Sequence, residues 1–131
     1  MDKFRVLIVD DEDDFRETLS LRLRNRKFIV DDAQGGEKAL DLLSNQDFDV
    51  IILDVLMPGM SGLACLQEIK KMKPLVEVIL LTGREEVESG IEGMQMGAFE
   101  YLEKPVPLDE LIEKMELAYE RKIMHEKTWL K

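Results

Sequence analysis

The chain has 131 residues, with 18 lysines and arginines against 28 aspartates and glutamates, a net charge of −10. That length fits one domain with a real core, and that charge excludes a nucleic-acid backbone or an anionic membrane surface as a direct partner. A single cysteine, Cys65, rules out an internal disulfide, and the opening MDKFRVLIVDDEDD lacks the basic-then-apolar pattern of a secretion signal, so a cytoplasmic protein is expected.

Short β-branched runs alternate with stretches of helical period, the pattern of strand-helix units around a parallel sheet. Val6 to Val9 reads as the first strand, followed by a helix with Phe15, Leu19 and Leu23 inward. Phe28 to Val30 is the second strand, and Ala39, Leu40 and Leu43 mark its helix. Val50 to Leu53 is the third, with Leu63, Leu66 and Ile69 on the helix after it. Val78 to Leu81 is the fourth; like the first and third it is continuously apolar, as befits a strand covered on both faces. These runs fall far short of the about 20 apolar residues that cross a bilayer.

The segment Glu85 to Met96 is expected to be a weak, locally mobile helix, because Gly90 and Gly93 inside it each cost ~1 kcal/mol relative to alanine. A fifth strand lies around Phe99 to Leu102, and the last helix turns Leu108, Leu111, Met115 and Ala118 inward. With no stop signal after Glu120, that helix is expected to reach about His125 and leave Trp129 in a polar tail. Ile112, Tyr119 and Ile123 on one side of it form a candidate partner face. The division that follows is a domain over residues 4–122 and a helical extension and tail over 123–131.

Each notable polar residue stands just after a strand: Asp10 and Asp11 after the first, Asp54 after the third, Thr82 after the fourth and Lys104 after the fifth. In an open α/β sheet, ligands bind beyond the carboxyl ends of the strands, where strand order reverses. If the order is 2-1-3-4-5, strands one and three are neighbours and the three aspartates meet. Three such carboxylates raise at least one pKa unless a cation neutralises them. An all-oxygen set suits Mg2+, with Mn2+ second, and no cluster of histidine and cysteine is present for zinc. A carboxylate is also a nucleophile toward phosphorus, in a reaction carried by positioning and charge neutralisation. Lys104 would supply a second cation for phosphoryl oxygens and the Thr82 hydroxyl a hydrogen bond.

The segments VLIVDDEDD, IILDVLMPGMSG, ILLTG and GAFEYLEKP, in this order and spacing, resemble the defining segments of the response-regulator receiver family, over about Phe4 to Glu120. The resemblance implies a flavodoxin-like, doubly wound α/β fold with five parallel strands in order 2-1-3-4-5 and five helices. It implies that Asp54 is the phosphoacceptor, supplied by a sensor histidine kinase or a histidine phosphotransfer protein. The ion would be held by Asp11, Asp54 and the backbone carbonyl of Leu56, with Asp10 helping directly or through water, and the bond before Pro105 is often cis in the family. Tyr101 matches the switch aromatic that turns inward with Thr82, changing the face made by the fourth helix, fifth strand and fifth helix. That face would control a downstream effector protein or form a homodimer. Leu56 and Arg84 occupy the positions that tune phosphoryl lifetime, and an apolar Leu56 implies slow self-dephosphorylation. Gly83 is expected to leave the pocket open beside Thr82.

Each residue has a plainer reading alone: Asp10 and Asp11 as helix caps, Asp54 as a turn residue, Thr82 as a cap, Lys104 as a solvated charge, Tyr101 as an edge aromatic. Their joint placement outweighs these. An aspartate-nucleophile phosphatase needs a second acid where Leu56 stands, and a flavin carrier needs a first loop that cradles phosphate, which DDEDD repels. A phosphoacceptor switch, not an enzyme on other substrates, is expected. The stretch VESGIEGMQMGAFEYLEKP resembles receivers attached to certain transcriptional activators, so a fragment of a longer regulator is also compatible.

Overall fold

The computed structural model describes residues 3–129. Leu130 and Lys131, the end of the expected tail, lie outside the described residues. The elements run β1 (Arg5–Val9), α1 (Asp13–Asn25), β2 (Ile29–Ala33), α2 (Gly36–Asn45), β3 (Val50–Asp54), α3 (Gly62–Met72), β4 (Glu77–Thr82), a 3-10 turn (Arg84–Glu86), α4 (Val87–Gln95), β5 (Glu100–Glu103) and α5 (Leu108–Trp129). The five strands pair in parallel in the order β2-β1-β3-β4-β5, as the sequence implied.

Strand side chains alternate between two cores, because successive residues point to opposite faces. Leu7, Val9, Ile51, Leu53, Val78 and Leu80 pack toward α2 and α3 with Ala39, Leu43, Leu66 and Ile69. Val6, Ile8, Val50, Ile52, Ile79 and Leu81 pack toward α1 and α5 with Leu19, Leu23, Leu111 and Met115. Burying each aliphatic side chain of this size contributes roughly 1.5–3 kcal/mol, so the two layers together hold the sheet.

Four expectations change. β2 extends through Asp31 and Asp32 to Ala33, although aspartate is depleted in strands, because it is an edge strand whose acids stay half-exposed. Gly90 and Gly93 are sites of close packing: a Cβ on Gly93 would stand 2.2 Å from Leu80 Cδ1, and one on Gly90 2.8 Å from the Tyr101 ring. Helix α5 continues past His125, so Trp129 belongs to the helix. Ile112 is buried and the Tyr119 ring stacks on Phe4 at 4.3 Å, so neither offers itself to a partner.

The far part of α5 is tied to the bottom of the sheet. Glu77, only 1% exposed at the start of β4, accepts hydrogen bonds from Arg121 Nε and Nη2, and Lys70 Nζ lies 3.7 Å away. Lys122 Nζ reaches Asp49 at 3.0 Å and Glu126 at 2.8 Å.

Candidate functional site

The carboxyl ends of β1 and β3 lie side by side because β1 is an interior strand, with β2 on one side and β3 on the other. Backbone bonds carry the ladder one step past each strand: Asp10 N–H donates to the Ala33 carbonyl at 3.1 Å, Val55 N–H to Leu81 at 3.0 Å, and Lys104 N–H to Thr82 at 2.7 Å. Site residues therefore sit on sheet backbone, not on free loops. Gly62 fixes the approach of α3 to this end: a Cβ there would stand 2.3 Å from the Asp54 carbonyl oxygen, and its N–H donates to Val55 O at 2.9 Å.

One oxygen from each of Asp10, Asp11 and Asp54 lies within 4.8 Å of the others. An octahedral Mg2+ holds oxygens at about 2.0–2.1 Å, so opposite ligands stand a little over 4 Å apart and small side-chain shifts close the set. The donor set fits a hard divalent ion. Asp10 is the least free member: Oδ1 accepts the Glu12 N–H at 2.9 Å and Oδ2 accepts Lys104 Nζ at 2.9 Å. Asp11 is exposed, and Asp54 is only 7% exposed.

Lys104 also stands 3.7 Å from Asp54 Oδ1 and 3.8 Å from Glu12, with its ammonium 4.3 Å from the centre of the Phe15 ring. Its bond to Pro105 is cis. Burial works against the lysine's charge, but the hydrogen bond to Asp10 and the charges of Asp10, Asp54 and Glu12 hold its pKa above the ordinary value. Burial pushes the Asp54 carboxyl up to about 6; Lys104 opposes this, Asp10 and Asp11 add to it, and a backbone hydrogen bond from Leu56 opposes it.

These groups line a cleft of about 480 Å³ whose walls are Asp11, Glu12, Asp54, Leu56, Met57, Pro58, Gly83, Glu86 and Lys104. Leu56 is 66% exposed beside Asp54. The structure thus brings Asp10, Asp11, Asp54, Leu56 and Lys104 together. Thr82 and Tyr101 are close by but do not line the cleft: Thr82 is fully buried, its hydroxyl 3.5 Å from the Leu102 carbonyl, and Tyr101 packs half-buried against the core and Gly90. Arg84 is exposed and off the cleft. The side of Gly83 expected to be open is filled by the Glu86 carboxylate.

Sequence reading missed Glu86 and Arg16. Arg16 Nη1 donates to the Asp10 carbonyl at 2.9 Å and Nη2 to Asp13 at 2.8 Å, while Nε lies 3.4 Å from Asp32. Its signal was present: a cation in the first turn of a helix opposes the helix dipole, so it needs another reason to be there. Glu86 had no such signal, because its position depends on the 3-10 turn folding it back over Gly83.

The family model described as the response regulator receiver domain matches residues 6–116. The regulatory protein AtoC of Escherichia coli (strain K12) is 41% identical over 82% of the chain, and the response regulator MprA of Mycobacterium sp. (strain KMS) is 37% identical over 85%. The chain covers 23% and 48% of those two proteins. A crystal structure of a response regulator receiver domain protein from Clostridium thermocellum superposes with a TM-score of 0.89 at 34% identity, covering 93% of this chain and 98% of its own. Sequence, fold and relatives agree that the chain belongs to the response regulator receiver domain family of two-component regulatory systems.

Proposed function

We propose that Asp54 accepts a phosphoryl group from the phosphohistidine of a sensor histidine kinase or a histidine phosphotransfer protein, and that Mg2+ assists. The observation that carries this is one ammonium, Lys104, shared between Asp10 and Asp54 at the switch point of the sheet, with three carboxylate oxygens within 4.8 Å beside it. An Asp54 oxygen bonds to phosphorus, the phosphorus–nitrogen bond breaks, and the imidazole leaves with its electron pair and takes up a proton. Lys104 neutralises charge on the transferring oxygens in a cleft that is partly shielded from water.

Asp11, Asp54 and the Leu56 carbonyl would hold Mg2+, with Mn2+ as a substitute and Asp10 acting through water because Lys104 and the Glu12 N–H already use its oxygens. Bound there, the ion supplies positive charge to the phosphoryl oxygens. Leu56, exposed and apolar over Asp54, offers no group to position a hydrolytic water, which supports slow self-dephosphorylation.

The output in this reading is a change in the α4-β5-α5 face. The Thr82 hydroxyl leaves the Leu102 carbonyl for the phosphoryl group, and the Tyr101 ring, packed on Gly90 of α4, follows the vacated space. Ile91 and Met94, exposed on α4, give that face an apolar surface for an effector protein or a second copy. The chain acts as a switch, not as an enzyme on other substrates. We assign the receiver to residues 4–122 and an α5 extension to 123–131. Among the described residues no helix is long and apolar enough to cross a membrane, which is compatible with a cytoplasmic protein.

Calorimetric titration with Mg2+ tests the site directly. One ion per chain is expected, weakened about tenfold or more by Asp11→Asn and left unchanged by Asp47→Asn, an exposed acid at the other end of the sheet. Equal binding by both variants would refute the assignment.

A further inference from the structure

One wall of the cleft is made by Gly83 and Glu86, which the switch chemistry does not use. The Glu86 N–H donates to the Gly83 carbonyl at 3.1 Å, closing the 3-10 turn that leads into α4. The turn folds the side chain back: Glu86 Oε2 lies 2.6 Å from where a Gly83 Cβ would stand, and its other two carboxyl atoms 3.3 Å away. Real Cβ atoms do not come so near a neighbour, so a side chain at residue 83 would push the flexible carboxylate aside. Lys104, the cation on the cleft wall, is committed to Asp10, Asp54 and Glu12. Glu86 therefore stands at the cleft as a negative charge without a counter-ion among the described residues.

We propose that Glu86, seated on Gly83, is an electrostatic gate that slows phosphoryl transfer to Asp54 from small, free, anionic phosphodonors. This rests on Asp54 being the phosphoacceptor. A free acyl phosphate brings about two negative charges past the Glu86 carboxylate, and nothing but the cleft holds it there. A phosphohistidine presented by a docked protein is held in place by contacts elsewhere, so the gate separates the two donor classes. Between a unit charge and a dianion several ångströms apart in a water-rich cleft, the repulsion slows the encounter by about 3- to 10-fold. The effect is screened by salt, since the Debye length falls from about 30 Å at 0.01 M to about 3 Å at 1 M.

The test is the rate at which the full chain gains a phosphoryl group from acetyl phosphate at saturating Mg2+, followed by intact mass. In that step an Asp54 oxygen bonds to phosphorus as the phosphorus–oxygen bond breaks and acetate leaves. Glu86→Gln removes the charge and keeps the shape; Gly83→Ala keeps the charge and shifts it. Glu86→Gln is expected to speed the reaction by about 3- to 10-fold at low salt, Gly83→Ala by less, and the double variant by no more than Glu86→Gln alone. Glu85→Gln, which makes the same change in net charge one residue off the cleft, is expected to give a distinctly smaller gain, since its charge lies farther from the donor. High salt is expected to bring the unaltered chain up to the rate of the variants. Unchanged rates in both variants, an equal gain from Glu85→Gln, or a gain that survives high salt each overturn the gate while leaving Asp54 as acceptor. No phosphorylation of the unaltered chain or of any variant overturns the acceptor reading and the gate together.

Discussion

Asp54 is where the fold sets chemistry against stability. An aspartate in an unfolded chain titrates near 3.9, whereas burial in the cleft pushes Asp54 up to about 6. The folded state therefore binds a proton that the unfolded state has released across this interval, and stability present below about pH 4 is lost as pH rises through 6. Above that, the ion-free domain carries an ionised, nearly buried carboxylate at a cost on the order of 2–3 kcal/mol. Asp54→Asn removes the charge, so without Mg2+ it is expected to raise stability by about that amount at pH 7.5 and by almost nothing at pH 4. Urea unfolding at the two pH values checks this; a variant equally or less stable at pH 7.5 contradicts it. Saturating Mg2+ should stabilise the unaltered chain more than the variant, by binding only the folded form.

At the scale of elements, Glu77 and Arg121 decide how α5 is held. Glu77 is a buried carboxylate at the start of the strand that ends in Thr82, and Arg121 caps it with two hydrogen bonds while stacking over Phe99 at 4.7 Å. Arg121→Met leaves that charge with Lys70 alone, 3.7 Å away, and is expected to cost about 3 kcal/mol in chemical denaturation. Adding Glu77→Leu should recover most of the loss, because the penalty belongs to the unpaired charge and not to the missing bond. If the double variant is as unstable as the single, packing and not charge is responsible. Strand and helix order was legible because runs such as Val50 to Leu53 and the spacing of Phe15, Leu19 and Leu23 carry their period locally. The Glu77–Arg121 pair was not, since residues 44 apart in sequence meet only after the sheet and α5 assemble. Gly90 and Gly93 misled for a related reason: local propensity reads them as weakness, while Tyr101 and Leu80 need the room they leave.

Across the whole molecule, a parallel sheet gathers groups from three strand ends to one place, which is why Asp10, Asp11, Asp54 and Lys104 were legible as a site from their position at or after those strands. What the pattern does not contain is orientation: that Thr82 faces Leu102, that Arg84 stays in solvent, and that Glu86 folds over Gly83 depend on the turn between β4 and α4. We propose that this assembly transfers a phosphoryl group to Asp54. The measurement that tests it most directly is intact mass after incubation with Mg2+ and acetyl phosphate, comparing the unaltered chain with Asp54→Asn. One acid-stable, base-labile phosphoryl group on the unaltered chain and none on the variant is the expected result; no gain by a chain shown to bind Mg2+, or an equal gain by Asp54→Asn, would contradict it.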